Sequence, residues 1–225
     1  MAIINQKKIE QYLEILPVRT RKAFLLLAKQ NWLKKSDWYL AGGTALALQV
    51  GHRSSRDLDF FTKRSDFRIT NVLKHFSKDN WQTTVAKEGT IYGEFIGAKV
   101  SFIAYPYFIP KNQSIWFDNI KILNQLDIAV MKVIAISQRG KKRDFYDLYW
   151  CVKNLLPLEE IITKLNGQYP TINHNYHHIL KSLSYFTDAE NDPTPKIFFK
   201  ASWQEIKRFF QKEVKRLAEK LIGLK

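Results

Sequence analysis

Two clusters in this sequence have the residue types and spacing to do chemistry. The first is Gly42-Gly43-Thr44, which ends the apolar run Tyr39-Leu40-Ala41 and opens an apolar segment, Ala45 to Val50. A glycine pair ahead of a helix presents backbone N–H groups with no Cβ in the way, at the helix end that favours anions. The Thr44 hydroxyl adds a candidate donor. The second cluster is Asp57-Leu58-Asp59-Phe60-Phe61. Residues i and i+2 of a strand share a face. Asp57 and Asp59 should therefore point one way while Leu58 and Phe60 enter a core. Two carboxylates at that range repel unless a cation lies between them. Mg²⁺ is commonly held by one or two carboxylates together with substrate phosphates. The two clusters together predict a phosphate cradle beside a divalent-ion site for Mg²⁺ or Mn²⁺. Each also has a structural reading: a turn that needs glycine, and a solvent-exposed edge strand. Arg53 and Arg56, just before the strand, read either as phosphate or RNA contacts or as a salt bridge to Asp57 in a solvated loop.

Two later segments carry charge in unusual places. Asp127-Ile128-Ala129-Val130-Met131-Lys132 reads as helix, and the neighbours of Lys132 on its own face are Ile128, Ala129, Ala135 and Ile136. A lysine inside an apolar stripe must snorkel, pair or bind an anion. The partner is either a bound anion or a structural carboxylate, with Asp147 a candidate. The run Lys141-Lys142-Arg143-Asp144-Phe145-Tyr146-Asp147-Leu148-Tyr149 follows Gly140. Asp144 stands where a helix cap would, and Arg143 lies at i−4 from Asp147. An acidic stretch, Asp188-Ala189-Glu190-Asn191-Asp192, suggests capping or charge neutralisation.

The elements that must position these residues follow from periodicity. Residues 5–33 read as helices broken at Pro17. Strands are expected over 37–41, 57–62, 81–87, 90–96 and 99–105, with a short helix over 69–78 between the second and third. Short extended pieces follow at 115–117 and 120–123. Helices are expected near 124–138, 143–155, 158–166, 173–184 and 202–222. The fold class is α+β: a mixed sheet with flanking helices, residues 1–120, followed by a helical C-terminal half, residues 121–225, packed on it.

The net charge is +15, and it is spread along the chain: residues 1–120 carry 18 basic and 10 acidic residues, and 121–225 carry 18 and 11. A field of this sign favours polyanions such as nucleic acid or nucleotides. No apolar run is long enough to span a membrane, and no signal peptide is read at the start. The single cysteine, Cys151, excludes an intrachain disulfide and suits a reducing cytoplasm.

The set as a whole resembles the AbiEii/AbiGii-toxin-like nucleotidyltransferases of bacteria and archaea. The resemblance rests on Gly42-Gly43-Thr44, on Asp57-Leu58-Asp59-Phe60 with thirteen residues between Gly43 and Asp57, on Asp127-x4-Lys132, and on Arg143-Asp144-x-x-Asp147-Leu148-Tyr149, in that order. It implies metal-dependent transfer of a nucleoside monophosphate from a nucleoside triphosphate to an acceptor, with RNA, a tRNA 3′ end in particular, expected. Asp57 and Asp59 would hold the metal, Gly42, Gly43, Thr44, Arg56 and Lys132 the nucleotide, and Asp144 or Asp147 would activate or orient the acceptor, or orient Lys132. A cognate antitoxin is the implied partner. The third carboxylate common in the superfamily is absent, since Ser101 stands in its place. That departure leaves open an alternative, a catalytically reduced nucleotidyltransferase fold that binds nucleotide or RNA as a regulator.

Overall fold

A computed structural model of the chain describes residues 2–221, with side chains from 6 to 220. The chain divides after Asn124 into two compact units. The first contains α1 (Ala2–Gln11), a 3-10 turn (Leu13–Ile15), α2 (Val18–Ala28), α3 (Asn31–Lys34), β1 (Tyr39–Ala41), α4 (Gly42–Val50), β2 (Leu58–Thr62), α5 (Ile69–Leu73), β3 (Trp81–Lys87), β4 (Thr90–Phe95), β5 (Ala98–Ala104), β6 (Ile115–Phe117) and β7 (Ile120–Ile122). The second contains α6 (Gln125–Arg139), α7 (Lys142–Asn154), α8 (Leu158–Thr163), α9 (Leu165–Gln168), α10 (Tyr176–Leu183), α11 (Thr187–Glu190) and α12 (Trp203–Leu221).

Among the described residues the strands form one seven-stranded sheet, in the order β3-β4-β5-β2-β1-β7-β6. It is mixed: β1 and β2 are antiparallel, while β2 and β5 are parallel, as are β1 and β7. Side-chain alternation divides the faces. Leu58 and Phe60 of β2, Val100 and Phe102 of β5, and Ile91 and Phe95 of β4 are buried on one face, where the rings of Phe60 and Phe102 stack at 5.1 Å. Asp59, Ser101 and Tyr92 alternate with them and so share the opposite face.

The structure refines several sequence expectations. Strand β2 starts at Leu58, so Asp57 sits at its mouth rather than within it. Helix α5 stops at Leu73 because the chain tightens into i→i−3 bonds, with the His75 and Phe76 N–H groups donating to Val72 and Leu73. The sheet continues past the prolines at 106 and 110. The two short extended pieces pair as a hairpin, turning at Asp118 (φ +49°), and β7 joins β1 through Leu40 and Ile122. Pro17 does break the first helical stretch, flanking the start of α2. In the second unit α12 buries Ile206, Phe210 and Leu217 along one face. Among the described residues, no helix is long and apolar enough to cross a membrane.

Candidate active site

In the first unit the site is built where β1 ends and β2 begins. Ala41 is directly opposite Asp59 in the antiparallel pair, so the turn after β1 lies beside that carboxylate. Gly42 has φ +72°, and a Cβ built there would lie 3.2 Å from Asp59 Oδ2. Only glycine combines that conformation with so close a carboxylate. Asp59 is in turn opposite Ser101 of the parallel neighbour β5, and the Ser101 hydroxyl donates to Asp59 Oδ1 at 2.6 Å. One carboxylate oxygen is thus fixed by a short charge-assisted bond, and the other faces the glycine turn. Ser101 does occupy the position facing Asp59, and as a donor it relieves charge there where a third carboxylate would add it.

Thr44 behaves differently from the expectation. Its side chain is buried, within hydrogen-bond distance of Ser55 Oγ (2.8 Å) and of the Asp57 main-chain carbonyl (2.5 Å). A hydroxyl has one proton, and here it serves the carbonyl while Ser55 supplies the second bond. The Thr44 hydroxyl therefore ties the first turn of α4 to the entry of β2 and is not offered to a ligand. Gly42 and Gly43, half-buried, leave backbone N–H groups at the start of a nine-residue helix that has no side-chain cap. Of the two arginines, Arg53 is buried and donates to the Ser54 carbonyl, a structural use. Arg56 is exposed, and its main-chain carbonyl accepts from the Thr20 hydroxyl.

In the second unit the charged residues of α6 and α7 form one buried cluster. Asp144 and Asp147, three apart on α7, face the same way, and both are fully buried. Lys132 Nζ lies 2.6 Å from Asp144 Oδ1 and 2.6 Å from Asp147 Oδ2. Arg139, two turns on from Lys132, donates through Nε to Asp144 Oδ2 at 2.9 Å and through Nη2 to Oδ1 at 3.1 Å. Burial alone would push the Asp144 carboxyl up. The Lys132 ammonium and the Arg139 guanidinium outweigh it and hold Asp144 below the ordinary carboxylate range. Cys151 lies one turn beyond Asp147; burial, reinforced by Asp147, raises its thiol far above the ordinary range, so it stays protonated and unreactive. Asp144 is not the helix cap, since α7 begins at Lys142 with Lys141 flanking it. Sequence reasoning named both partners of Lys132 separately but missed Arg139, whose signal was its place seven residues after Lys132 on the same helix face.

The acidic stretch supplies the capping. Asp192 Oδ2 accepts from the Lys142 backbone N–H at 3.0 Å, and Lys142 Nζ donates to the Glu190 and Asp192 carbonyls. Glu190 also accepts from Trp203 Nε1 and Lys207 Nζ. Loop 188–193 therefore fixes the starts of α7 and α12. Replacing Asp192 with Ala should cost about 1 kcal/mol, the usual worth of such a cap, and a thermal melt will read it as a small fall in Tm.

The chain matches a known family over most of its length. A model of the family described as Nucleotidyl transferase AbiEii toxin, Type IV TA system, matches residues 26–221. The chain belongs to the AbiEii nucleotidyltransferase toxin family. It is accordingly a nucleotidyltransferase. An uncharacterized protein of Aquifex aeolicus (strain VF5) is 38% identical over 193 residues, 82% of this chain and 89% of that protein. A crystal structure from H. pylori aligns with TM-score 0.52 at 16% identity over 93% of this chain and 99% of that one. The nucleotidyltransferase toxin MenT4 of Mycobacterium tuberculosis H37Rv aligns with TM-score 0.50 at 14% identity, over 93% of this chain and 89% of that chain. At such identities the two structures show a shared fold, which is the mixed sheet with flanking helices described above.

Family membership makes a divalent metal the expected cofactor, and the residues can be tested for it. Among the described residues no group of three or more His, Cys, Asp or Glu side chains is arranged to hold a metal ion. Asp57 and Asp59 would supply two carboxylates, the number Mg²⁺ uses when substrate phosphates and water complete its shell. The Asp59 oxygen turned toward Gly42 is the feature that fits.

Proposed function

We propose that this protein transfers a nucleoside monophosphate from a nucleoside triphosphate to the 3′ hydroxyl of an RNA, a tRNA 3′ end by resemblance, with Mg²⁺ as cofactor, as the toxin of a pair with a cognate antitoxin. The acceptor oxygen bonds to the α-phosphorus, the α–β anhydride bond breaks, and pyrophosphate and the hydroxyl proton leave to solvent. The observation that carries this reading is Asp59, with one oxygen held by Ser101 and the other 3.2 Å from where a Gly42 Cβ would be. A carboxylate so fixed beside a helix N-terminus brings together the place for a cation and the place for a phosphate.

Asp57 and Asp59 would hold the metal, which when bound neutralises charge developing on the phosphates. The backbone N–H groups at Gly42 and Gly43 would bind phosphate oxygens, and Arg56, exposed beside Asp57, would add a cation. In the second unit the Lys132 ammonium has three protons, of which Asp144 and Asp147 take two. Asp144, ionised and fully buried, is too weak a base to take a proton from an acceptor; with Asp147 it orients Lys132. The +15 net charge supports a polyanionic acceptor.

Ser101 offers the test within this reading. Removing a hydrogen bond that orients a metal ligand typically costs 10- to 100-fold in metal affinity or activity. Ser101→Ala should therefore raise the Mg²⁺ concentration needed for half-maximal transfer by about ten-fold, with an unchanged Tm. An unchanged Mg²⁺ requirement would contradict the assignment of Asp59 as a ligand.

A further inference from the structure

The register of the sheet places an exposed aromatic side chain in line with Asp59. Asp59 is opposite Ser101, Ser101 opposite Tyr92, and Tyr92 opposite Val85, so one residue from each of β2, β5, β4 and β3 forms a row across the sheet. Directly opposed residues share a face, and the Ser101–Asp59 hydrogen bond fixes which face this is. Tyr92 is 40% exposed and Val85 41%, whereas the flanking residues of β4, Ile91 and Gly93, are buried on the other side. Two strand spacings separate Tyr92 from Asp59, about 10 Å. The same face carries exposed Lys87 and Lys99, with Glu94 opposite Lys99.

We propose that Tyr92 is the stacking platform for an unpaired base of the RNA acceptor, next to the end that reacts at Asp59. The inference rests on the reading that the acceptor is RNA. An open sheet face bearing an aromatic ring is a recurrent way to hold single-stranded RNA, because every base offers a π-face. The ring stands one strand beyond Ser101, too far out to be a metal ligand and within reach of a chain whose end lies at Asp59. Lys87 and Lys99 supply positive charge for its backbone. Tyr92 acts on the acceptor alone, so the nucleoside triphosphate should not sense its loss.

The test uses the full chain and a short 5′-fluorescein single-stranded oligoribonucleotide, read by anisotropy and by nucleotide transfer. Tyr92→Ala should weaken oligonucleotide binding and raise its KM by about ten-fold, the usual effect of losing one stacked base. The KM for the nucleoside triphosphate and kcat should not change. Tyr92→Phe, which keeps the ring, should behave as wild type. Equal losses for Ala and Phe, a parallel rise in the nucleotide KM, or no change in either variant would overturn the proposal. Where the wild type transfers nucleotide to RNA and the variants are unaffected, the platform fails and the RNA reading stands. Where the wild type neither binds nor labels RNA, the RNA reading fails and the platform with it.

Discussion

Replacing Lys132 with Met should destabilise the protein by about 3–5 kcal/mol at neutral pH. The substitution keeps the volume and removes the charge between Asp144 and Asp147, both fully buried. Breaking a buried ion pair from one side leaves an uncompensated charge, and the cost is of that size. Arg139 still pairs with Asp144, so that carboxylate keeps one of its two cations. A thermal melt should show a fall in Tm of roughly 10 °C. The pH dependence carries the diagnosis. In the wild type the Asp144 carboxyl is held below its ordinary range. Its contribution to stability is therefore present at neutral pH and is lost as pH falls through its lowered folded-state pKa. In the variant the buried carboxylates are relieved by protonation. The gap between wild type and variant should thus narrow as pH is lowered from 7 toward 4. Adding Asp147→Asn to Lys132→Met should recover part of the loss at pH 7. A single variant as stable as the wild type at pH 7 would show that Lys132 does not sit between the two carboxylates.

The second large effect is on activity alone. Asp59→Asn preserves shape and keeps an oxygen for the Ser101 hydroxyl, so the fold should hold, with stability unchanged or slightly raised by the loss of repulsion from Asp57. The amide cannot supply the negative charge that a hard cation requires. Nucleotide transfer should fall on the order of 10³-fold, the scale of losing one directed electrostatic contact in an active site. Initial rates over a Mg²⁺ titration would measure it, and excess Mg²⁺ should not restore the wild-type rate.

These two residues show what the sequence made legible and what it did not. Asp59 was readable because β2 alternates: Leu58 and Phe60 fill the core, so the residue between them has to face out, and Gly42 announced a turn that tolerates no Cβ. Lys132 was readable as an anomaly, a charge in an apolar stripe, but its partners were divided among separate guesses. Asp147 was named as a possible counter-ion, Asp144 as a cap, and either one as the aspartate that serves the acceptor or orients Lys132. Only the packing of α6 against α7 brings both onto one ammonium and adds Arg139. The Thr44 hydroxyl was misread because a threonine after two glycines looks alike whether its proton goes to a ligand or to a carbonyl thirteen residues on. The β6–β7 hairpin was seen only as extended pieces, since each strand has three residues and its place beside β1 depends on Leu40 pairing with Ile122. The acidic stretch was readable as capping or charge neutralisation, but which helix it caps was hidden, because a cap supplied from fifty residues away leaves no local signature.

The most direct test of the central claim is a labelling experiment. The protein is incubated with Mg²⁺, total bacterial RNA and each α-labelled nucleoside triphosphate in turn, beside an Asp57→Asn, Asp59→Asn double variant of equal Tm. The account predicts label on RNA from the wild type, dependent on Mg²⁺, and none from the double variant. Equal labelling by both proteins, or no label from the wild type with any nucleotide while RNA still binds, would contradict it.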